Sequence, residues 1–449
     1  MKVSNFSNIF RKIRRNLDLK FLQKNVAKNL IIGGGIAAFG GISSKILTFV
    51  SIVYVSRHIG AENFGIYIYF QAALMFFCLL FSIGLPIPAT KITSEIFDKD
   101  KNKLKQIITL FYSATFLIGV VGTLLFILVG IYLFPENMTQ SLFNINFVLI
   151  TSLAILCINL DALNHAFLFG LAEIKNSILA LVLASVLGLL SVITLVGLFG
   201  MYGAMFSIAS VPAIQLLFSS YMCHKKLKAN NLLGGIINLS YSRIFFDEGL
   251  PTMLMGILLA LAIWMVQTIM VVTGSGLAEV GVFGVGQQAF QIVVFVPFAF
   301  GRIILPLLAR NIYMNTSGES GVLIKMNFIL NFMMTLPVCL LIVFFAGEFL
   351  SIFGNYDTSY INVIRIMAIA AFVSSIVSPI GTVIIARGKY WLGFIINLVW
   401  ASIYILGSFT MSSLGALGIS YALLIAYMLH SISVIIWFWF DIKKSSVNY

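Results

Sequence analysis

The chain has 449 residues, 60% of them hydrophobic and 10% charged, and its 28 Lys and Arg against 15 Asp and Glu give a formal net charge of +13. A soluble domain would carry about 25% charged residues, so this composition excludes a soluble enzyme or regulator and requires an integral membrane protein. The apolar runs are long and uninterrupted, which calls for helices, because the strands of a barrel would alternate.

Residues 1–28 come first and are polar and basic. Phe6, Ile9, Phe10, Ile13, Leu17 and Phe21 share one helical face, and Arg11, Lys12, Arg14, Arg15 and Lys24 fill much of the rest. That pattern suits a helix lying on an anionic leaflet, or a basic tail that only sets topology. It does not suit a cleaved signal peptide, because the next apolar run is too long and no small-residue cleavage site follows.

Next come an apolar run from Ile31 to Val55, the polar turn 56–65, and a second run from Ile66 to Ala89. Each run exceeds the ~20 residues that cross a bilayer as a helix. Similar runs predict twelve spans, at 30–56, 64–90, 106–134, 143–170, 176–199, 202–222, 243–273, 280–308, 325–346, 360–386, 390–412 and 415–440. Of the 28 Lys and Arg, all but Lys45, Arg57, Arg302 and Arg365 fall in the termini and in connections on one side. Basic connections stay in the cytoplasm, so both termini are predicted to be cytoplasmic. In such a protein the basic excess is a topology signal and not evidence for nucleic acid.

The chain repeats itself. Ala61-Glu62-Asn63-Phe64-Gly65-Ile66-Tyr67 recurs, one residue shorter, as Ala278-Glu279-Val280-Gly281-Val282-Phe283. The short turn Gly170 to Lys175 matches Ala386 to Lys389, and Gly200 with Gly203 matches Gly415 with Gly418. The expected fold is therefore an all-α integral membrane protein of two pseudo-repeated six-helix bundles. The predicted parts are an N-terminal lobe at 29–222, a linker at 223–242, a C-terminal lobe at 243–440 and a tail at 441–449. An even number of spans per copy gives both copies one orientation, related by an axis along the membrane normal. Folds of that kind hold substrate between the lobes and rock one against the other.

No catalytic constellation is visible, so no enzyme activity and no cofactor is expected. Gly33-Gly34-Gly35 opens a membrane helix and fails the dinucleotide pattern, and no phosphate-binding loop is present. Asp98-Lys99-Asp100 sits in a solvated charge run, and Cys78, Cys157, Cys223 and Cys339 show no metal or disulfide spacing. The informative residues are charges inside spans, which are costly in lipid and face interior cavities. Lys45 lies beside a small, weakly polar stripe of Gly33, Ala37, Gly41, Ser44, Thr48 and Ser51. That face suits a wet cavity or another helix. Lys45, Arg302 and Arg365 would place positive charge at several depths, suited to a phosphate-bearing substrate, or the two arginines would snorkel to the headgroups. Arg57, Gln267 and Gln288, with its neighbours Gln287 and Gln291, are further candidate substrate contacts. Asp161 and His165 are four apart on one face, which allows a site for a coupling H+ or Na+, or a self-satisfied pair.

The motif Val55-Ser-Arg-His-Ile-Gly-Ala-Glu-Asn-Phe-Gly-Ile-Tyr67 resembles the first hairpin of the polysaccharide transporters, the O-antigen and oligosaccharide flippases. Their superfamily also holds multidrug exporters and peptidoglycan-precursor flippases. The resemblance covers the whole chain. It implies a bacterial inner-membrane protein that moves a polyprenyl-diphosphate-linked oligosaccharide to the outer leaflet by alternating access. The implied partners are that substrate, membrane lipids, and the glycan polymerase and glycosyltransferases of the same pathway. The alternative is a cation-coupled multidrug antiporter of the same fold. Many relatives carry an Asp where this chain has Gln267, so the acid that would couple an ion there is missing.

Overall fold

A computed structural model of the chain describes residues 24–133, 145–313 and 317–447, with some side chains inside these ranges left out, those of 24–38 and of Arg302 among them. Most of the basic segment 1–28 lies outside the described residues. The described chain is helical, with no strand among the described residues. Helices α1 (24–59) and α2 (61–82) run on from one another through Gly60, whose φ of 80° and ψ of 168° are not helical. They are followed by α3 (Pro86–Ile96), α4 (Lys101–Leu133), α5 (Ile145–Gly170), α6 (Ile174–Phe199) and α7 (Met201–Ala229). The second half holds α8 (Leu250–Val272), α9 (Leu277–Tyr313), α10 (Ser317–Phe344), the short α11 (Ala346–Ile352), α12 (Ile361–Ala386), α13 (Tyr390–Thr410) and α14 (Gly415–Val447).

Among the described residues, ten helices are long and apolar enough to cross a membrane, and the bent pair Leu239–Leu254 and Gly256–Val272 makes an eleventh. Residues Phe39–Ser82 count there as one segment, but packing shows that α1 and α2 run in opposite directions. Ser44 bonds Ser185, and Gly197 lies beside the Tyr54 hydroxyl, so α1 is parallel to α6. Phe77 packs edge-to-face on Phe126 and Phe81 lies against Gly122, so α2 is antiparallel to α4. Thr123 bonds Ser152 while Gly119 faces Leu156, so α4 is antiparallel to α5. The turn after Gly170 reverses α5 into α6, which leaves α1 and α2 opposed.

Several span boundaries differ from the sequence expectation, and two of them have a visible local cause. The second span ends at Ser82 and not at 90, because Ile83 and Gly84 adopt φ of 47° and 62° and Pro86 opens a new helix. The seventh begins with a wide turn at Phe245–Gly249 before Pro251 starts α8. The segment after α7 is also more than a tether. Leu232 is fully buried, Asn238 donates to Gln106, and Gly235 presses on the Lys105 carbonyl, so this stretch is strapped across the start of α4.

The internal repeat is visible as repeated geometry. Glu173 and Lys389 each donate their amide five residues back, to Leu168 and Ile384, closing the same turn in both copies. Gly200 and Gly415 have φ of 55° and 59°, and three residues on, Gly203 and Gly418 press on the end of the preceding helix. The third pair is the most telling. Gly65 of α2 and Gly281 of α9 face each other, each against the carbonyl four residues before the other glycine, Leu277 and Ala61. A Cβ on Gly65 would lie 3.1 Å from the Gly281 nitrogen, and one on Gly281 would lie 3.2 Å from that of Gly65. The two copies of the motif therefore meet reciprocally, as pseudo-twofold partners must, and small residues let the backbones touch.

The acids of the motif have diverged. Glu279 accepts hydrogen bonds from the Tyr360 hydroxyl and the Ala416 amide, both at 2.7 Å, and so caps α14. Glu62 is exposed. Glu279→Ala is therefore expected to cost about 1.5–3 kcal/mol, the worth of bonds to a charged group. Glu62→Ala should stay within about 0.5 kcal/mol, as surface changes do. Thermal unfolding of the detergent-solubilised variants measures both, and equal losses would refute the asymmetry.

Candidate functional site

The site is built around Lys45, which lies roughly 20 Å along α1 from the Gly60 break at 1.5 Å per residue. Its neighbour Ser44 shares a 2.6 Å hydrogen bond with Ser185, which fixes that face of α1 against α6. Thr48 and Ser51 donate back to the Ser44 and Leu47 carbonyls. Lys45 is one residue round from Ser44, about 100° away on a helix, and faces the second half of the chain.

There it meets a cavity of about 330 Å³. Among the described residues its lining belongs to the second half apart from Lys45. Leu259 and Ile263 of α8 form one side, and Phe283, Gln287, Phe290 and Gln291 of α9 form the next. Met367 of α12, Trp400 and Tyr404 of α13, and Leu423 and Tyr427 of α14 complete it. Gln287 and Gln291 are one turn apart on the same face of α9. The aromatic rings form a connected group. Phe290 stacks on Tyr427 at 5.5 Å, Trp400 lies 5.2 Å from Tyr427, and Tyr404 lies 5.7 Å from Trp400. Trp400 and Tyr404 are 4% and 1% exposed, yet the indole Nε1 and the phenol oxygen find no hydrogen-bond partner among the described residues. A buried polar atom left this way costs about 1–3 kcal/mol. No acidic residue lines the cavity among the described residues.

Of the residues singled out in the sequence whose side chains are described, Lys45, Gln287 and Gln291 line this cavity. Gln288 is turned into the packed interface and is 8% exposed. Gln267 is fully buried outside the lining, with both amide atoms unpartnered among the described residues. Arg57 and Arg365 are at the end of the molecule bearing the 56–65 turn, not at the cavity. Arg57 donates to the Ser351 carbonyl at 3.1 Å, and Arg365 donates to the Val343 carbonyl and to Asn362, both at 3.3 Å. Arg302 belongs to α9, and its side chain is not described. Asp161 and His165 lie together in the first half, 3.6 Å apart, with His165 Nδ1 2.6 Å from the Ser177 hydroxyl. Beside them Asn164 accepts from Tyr112 at 2.6 Å and donates to Ser219 and Ser220 at 3.0 Å. This polar cluster is separate from the cavity.

The halves touch at both ends. At the 56–65 end, Ser56 and Tyr356 share a 2.9 Å hydrogen bond, and Phe49 packs on Phe349 and Phe353. Burial raises the Tyr356 phenol above its usual range and the Ser56 bond partly offsets that, so this contact joins neutral hydroxyls at physiological pH. At the opposite end, Thr252 donates to the Gly84 carbonyl at 3.0 Å and Lys91 pairs with Glu248 at 2.8 Å.

Residues 30–312, more than half of the chain, match the family described as "Polysaccharide biosynthesis protein". The chain belongs to this family. This polysaccharide biosynthesis protein is 24% identical over 180 residues to the EPS I polysaccharide export inner membrane protein EpsE of Ralstonia nicotianae, a match spanning 38% of this chain and 40% of that protein. An inward-facing MATE multidrug transporter of the MOP superfamily superposes with a TM-score of 0.76 at 15% identity, covering 89% of this chain and 95% of its own. Its outward-facing counterpart gives 0.69 at 15% identity, covering 93% and 96%. A MOP-superfamily transporter from Pyrococcus furiosus, described as having a binding pocket of reverse polarity, gives 0.70 at 14% identity, covering 93% and 96%. At these identities the likeness shows the fold. The fold is that of a multi-pass, all-helical membrane protein.

Proposed function

We propose that this transporter is a flippase for a polyprenyl-diphosphate-linked oligosaccharide, carrying its headgroup from the cytoplasmic to the outer leaflet of a bacterial inner membrane. The observation that supports this is the cavity itself. Among the described residues its one charged lining residue is Lys45, against two amides, an indole and two phenols, with no carboxylate. That chemistry attracts a diphosphate and accommodates sugar. A drug antiporter that binds cations needs the opposite, so the antiporter reading ranks second.

A glycan headgroup cannot cross hydrocarbon unaided, because each unpaired hydroxyl would lose its hydrogen bonds. The cavity replaces water during the crossing, while the prenyl tail remains in the bilayer. The basic connections put the 56–65 end outside. On that orientation the Ser56–Tyr356 contact and the Gly65–Gly281 contact form the outer gate. Asp161 with His165 is the site where a proton or sodium ion would couple, since Gln267 has no charge to offer. Residues 1–28 would recruit the glycosyltransferases or lie on the inner leaflet.

The test is headgroup translocation in proteoliposomes. A labelled polyprenyl-diphosphate oligosaccharide is supplied, and an impermeant glycosidase reports which leaflet holds the sugar. Protein-dependent exposure is expected. No exposure, with or without a proton or sodium gradient, together with gradient-driven export of cationic dyes, would replace this reading with the antiporter.

A further inference from the structure

The stretch between α7 and α8 links the two halves, and its outward side is apolar. Leu232 and Leu233 pack inward against the first half. Gly235 presses on the Lys105 carbonyl and the Thr109 hydroxyl, and Asn238 donates to Gln106 at 3.1 Å. The residues between and after these anchors point away, with Ile236, Ile237 and Leu239 at 80%, 51% and 70% exposed. Apolar side chains held outward on a strap that is itself tied down mark an interaction surface.

The place of the strap on α4 identifies what meets it. At about 100° per residue, the anchors Lys105, Gln106 and Thr109 share one sector of the helix, and Phe116, Leu117, Val120 and Leu124 continue the same sector. Those four are exposed on a helix long and apolar enough to cross a membrane, so they face lipid. The strap therefore lies on the lipid-facing side of α4, with Thr109 about two turns before Phe116. Lys99, Lys101, Lys103 and Lys105 flank it, and the Lys103 ammonium sits 5.6 Å over the ring of Tyr241 on the strap. Most acids nearby are engaged. Asp100 accepts from the Lys103 amide at 2.9 Å, Asp247 pairs with Arg243 at 3.1 Å and Glu248 pairs with Lys91 at 2.8 Å. Glu95 and Asp98 are left against the four lysines.

We infer that the strap at 235–241 is a membrane-interface element that binds anionic phospholipid. Ile236, Ile237 and Leu239 enter the boundary between headgroups and acyl chains, as the apolar side of an interfacial segment does. Lys101, Lys103 and Lys105 hold the anionic headgroups beside it, as juxtamembrane lysines do. A soluble protein fits this surface less well, because the face that carries it runs on into the hydrocarbon. The inference holds whatever the cargo is.

Fluorescence quenching in nanodiscs of the full-length protein tests it. The native cysteines are replaced, and a bimane label is placed at Leu239→Cys or, as a control past the end of the span, at Ala229→Cys; both positions are exposed. Brominated phosphatidylcholine should quench the label at 239 and aqueous iodide should not, with the reverse at 229. Added phosphatidylglycerol should strengthen the bromolipid quenching at 239. The phosphatidylglycerol fraction giving half of that change should rise about fivefold for each lysine removed in Lys101→Gln and Lys103→Gln, the worth of one charge near an anionic surface. Both lysines are exposed, so these variants should fold, and a label at Ile237→Cys repeats the measurement if Leu239→Cys does not. Iodide quenching at 239 equal to that at 229 overturns the inference and leaves the surface to a soluble partner. Bromolipid quenching that ignores phosphatidylglycerol, or a phosphatidylglycerol effect that survives both lysine variants, overturns the binding of anionic headgroups.

Discussion

Lys45→Ala is expected to reduce headgroup translocation by about 10- to 150-fold, the worth of one charge-assisted contact of ~1.5–3 kcal/mol. Protein abundance and thermal stability should not change. Among the described residues Lys45 is the only one of the first half lining the cavity, so its loss removes the one described lining charge. The residue is exposed toward the cavity, and substitutions at such positions move stability by about 0.5 kcal/mol or less. Lys45→Arg should keep part of the activity, because charge is retained while the compact ammonium is exchanged for a planar fork. Affinity for a bare prenyl diphosphate, measured beside transport, separates binding from movement. Both should fall together in the alanine variant. Full transport by Lys45→Ala would remove Lys45 from the site.

Lys45 could be found in the sequence because an isolated charge in an apolar helix has few tolerable places to go. The same reasoning left Arg365 open between the cavity and the headgroups. That residue lies near a helix end, where the Val343 carbonyl is within reach, and depth alone does not distinguish a lining charge from a rim charge. Gln288 was singled out beside Gln287 and Gln291, of which only the last two line the cavity among the described residues. On a helix buried on several faces, such as α9, the hydrophobic pattern has no clear polar side, so the phase that selects Gln287 and Gln291 over Gln288 comes only from tertiary packing. The aromatic wall was invisible for a related reason. Trp400, Tyr404 and Tyr427 have the spacing of ordinary core residues, and nothing local says that three rings from two helices converge. The two halves were legible because turns are written locally: Gly200 and Gly415 take a backbone conformation that side chains resist. What the repeat could not reveal is that Gly65 and Gly281 touch each other, since self-similarity shows that copies exist and not which faces meet.

That contact carries the second large effect. A methyl group on Gly65 would collide with the Leu277 carbonyl, and one on Gly281 with the Ala61 carbonyl. Backbone cannot rotate out of the way as a side chain would, so α2 and α9 must separate at the 56–65 end. Overpacking of this kind costs about 1–3 kcal/mol. Charged only to the state in which this end is shut, that cost shifts the balance of states by about 5- to 150-fold. Gly65→Ala should therefore open this end. In a background with the native cysteines replaced, spin labels at the exposed positions 62 and 348 should move apart, and net translocation should fall because the shut state is no longer well populated. Gly281→Ala should do the same. The double variant should cost less than the two singles combined, because both remove one contact. Gly41→Ala is the control: a methyl there meets nothing within 4 Å, so the helix gains propensity without a clash. An unchanged distance distribution with full transport in Gly65→Ala would mean that the two motif copies hold the halves together in every state and that the gate lies elsewhere, with the Ser56–Tyr356 and Arg57–Ser351 contacts the next to break.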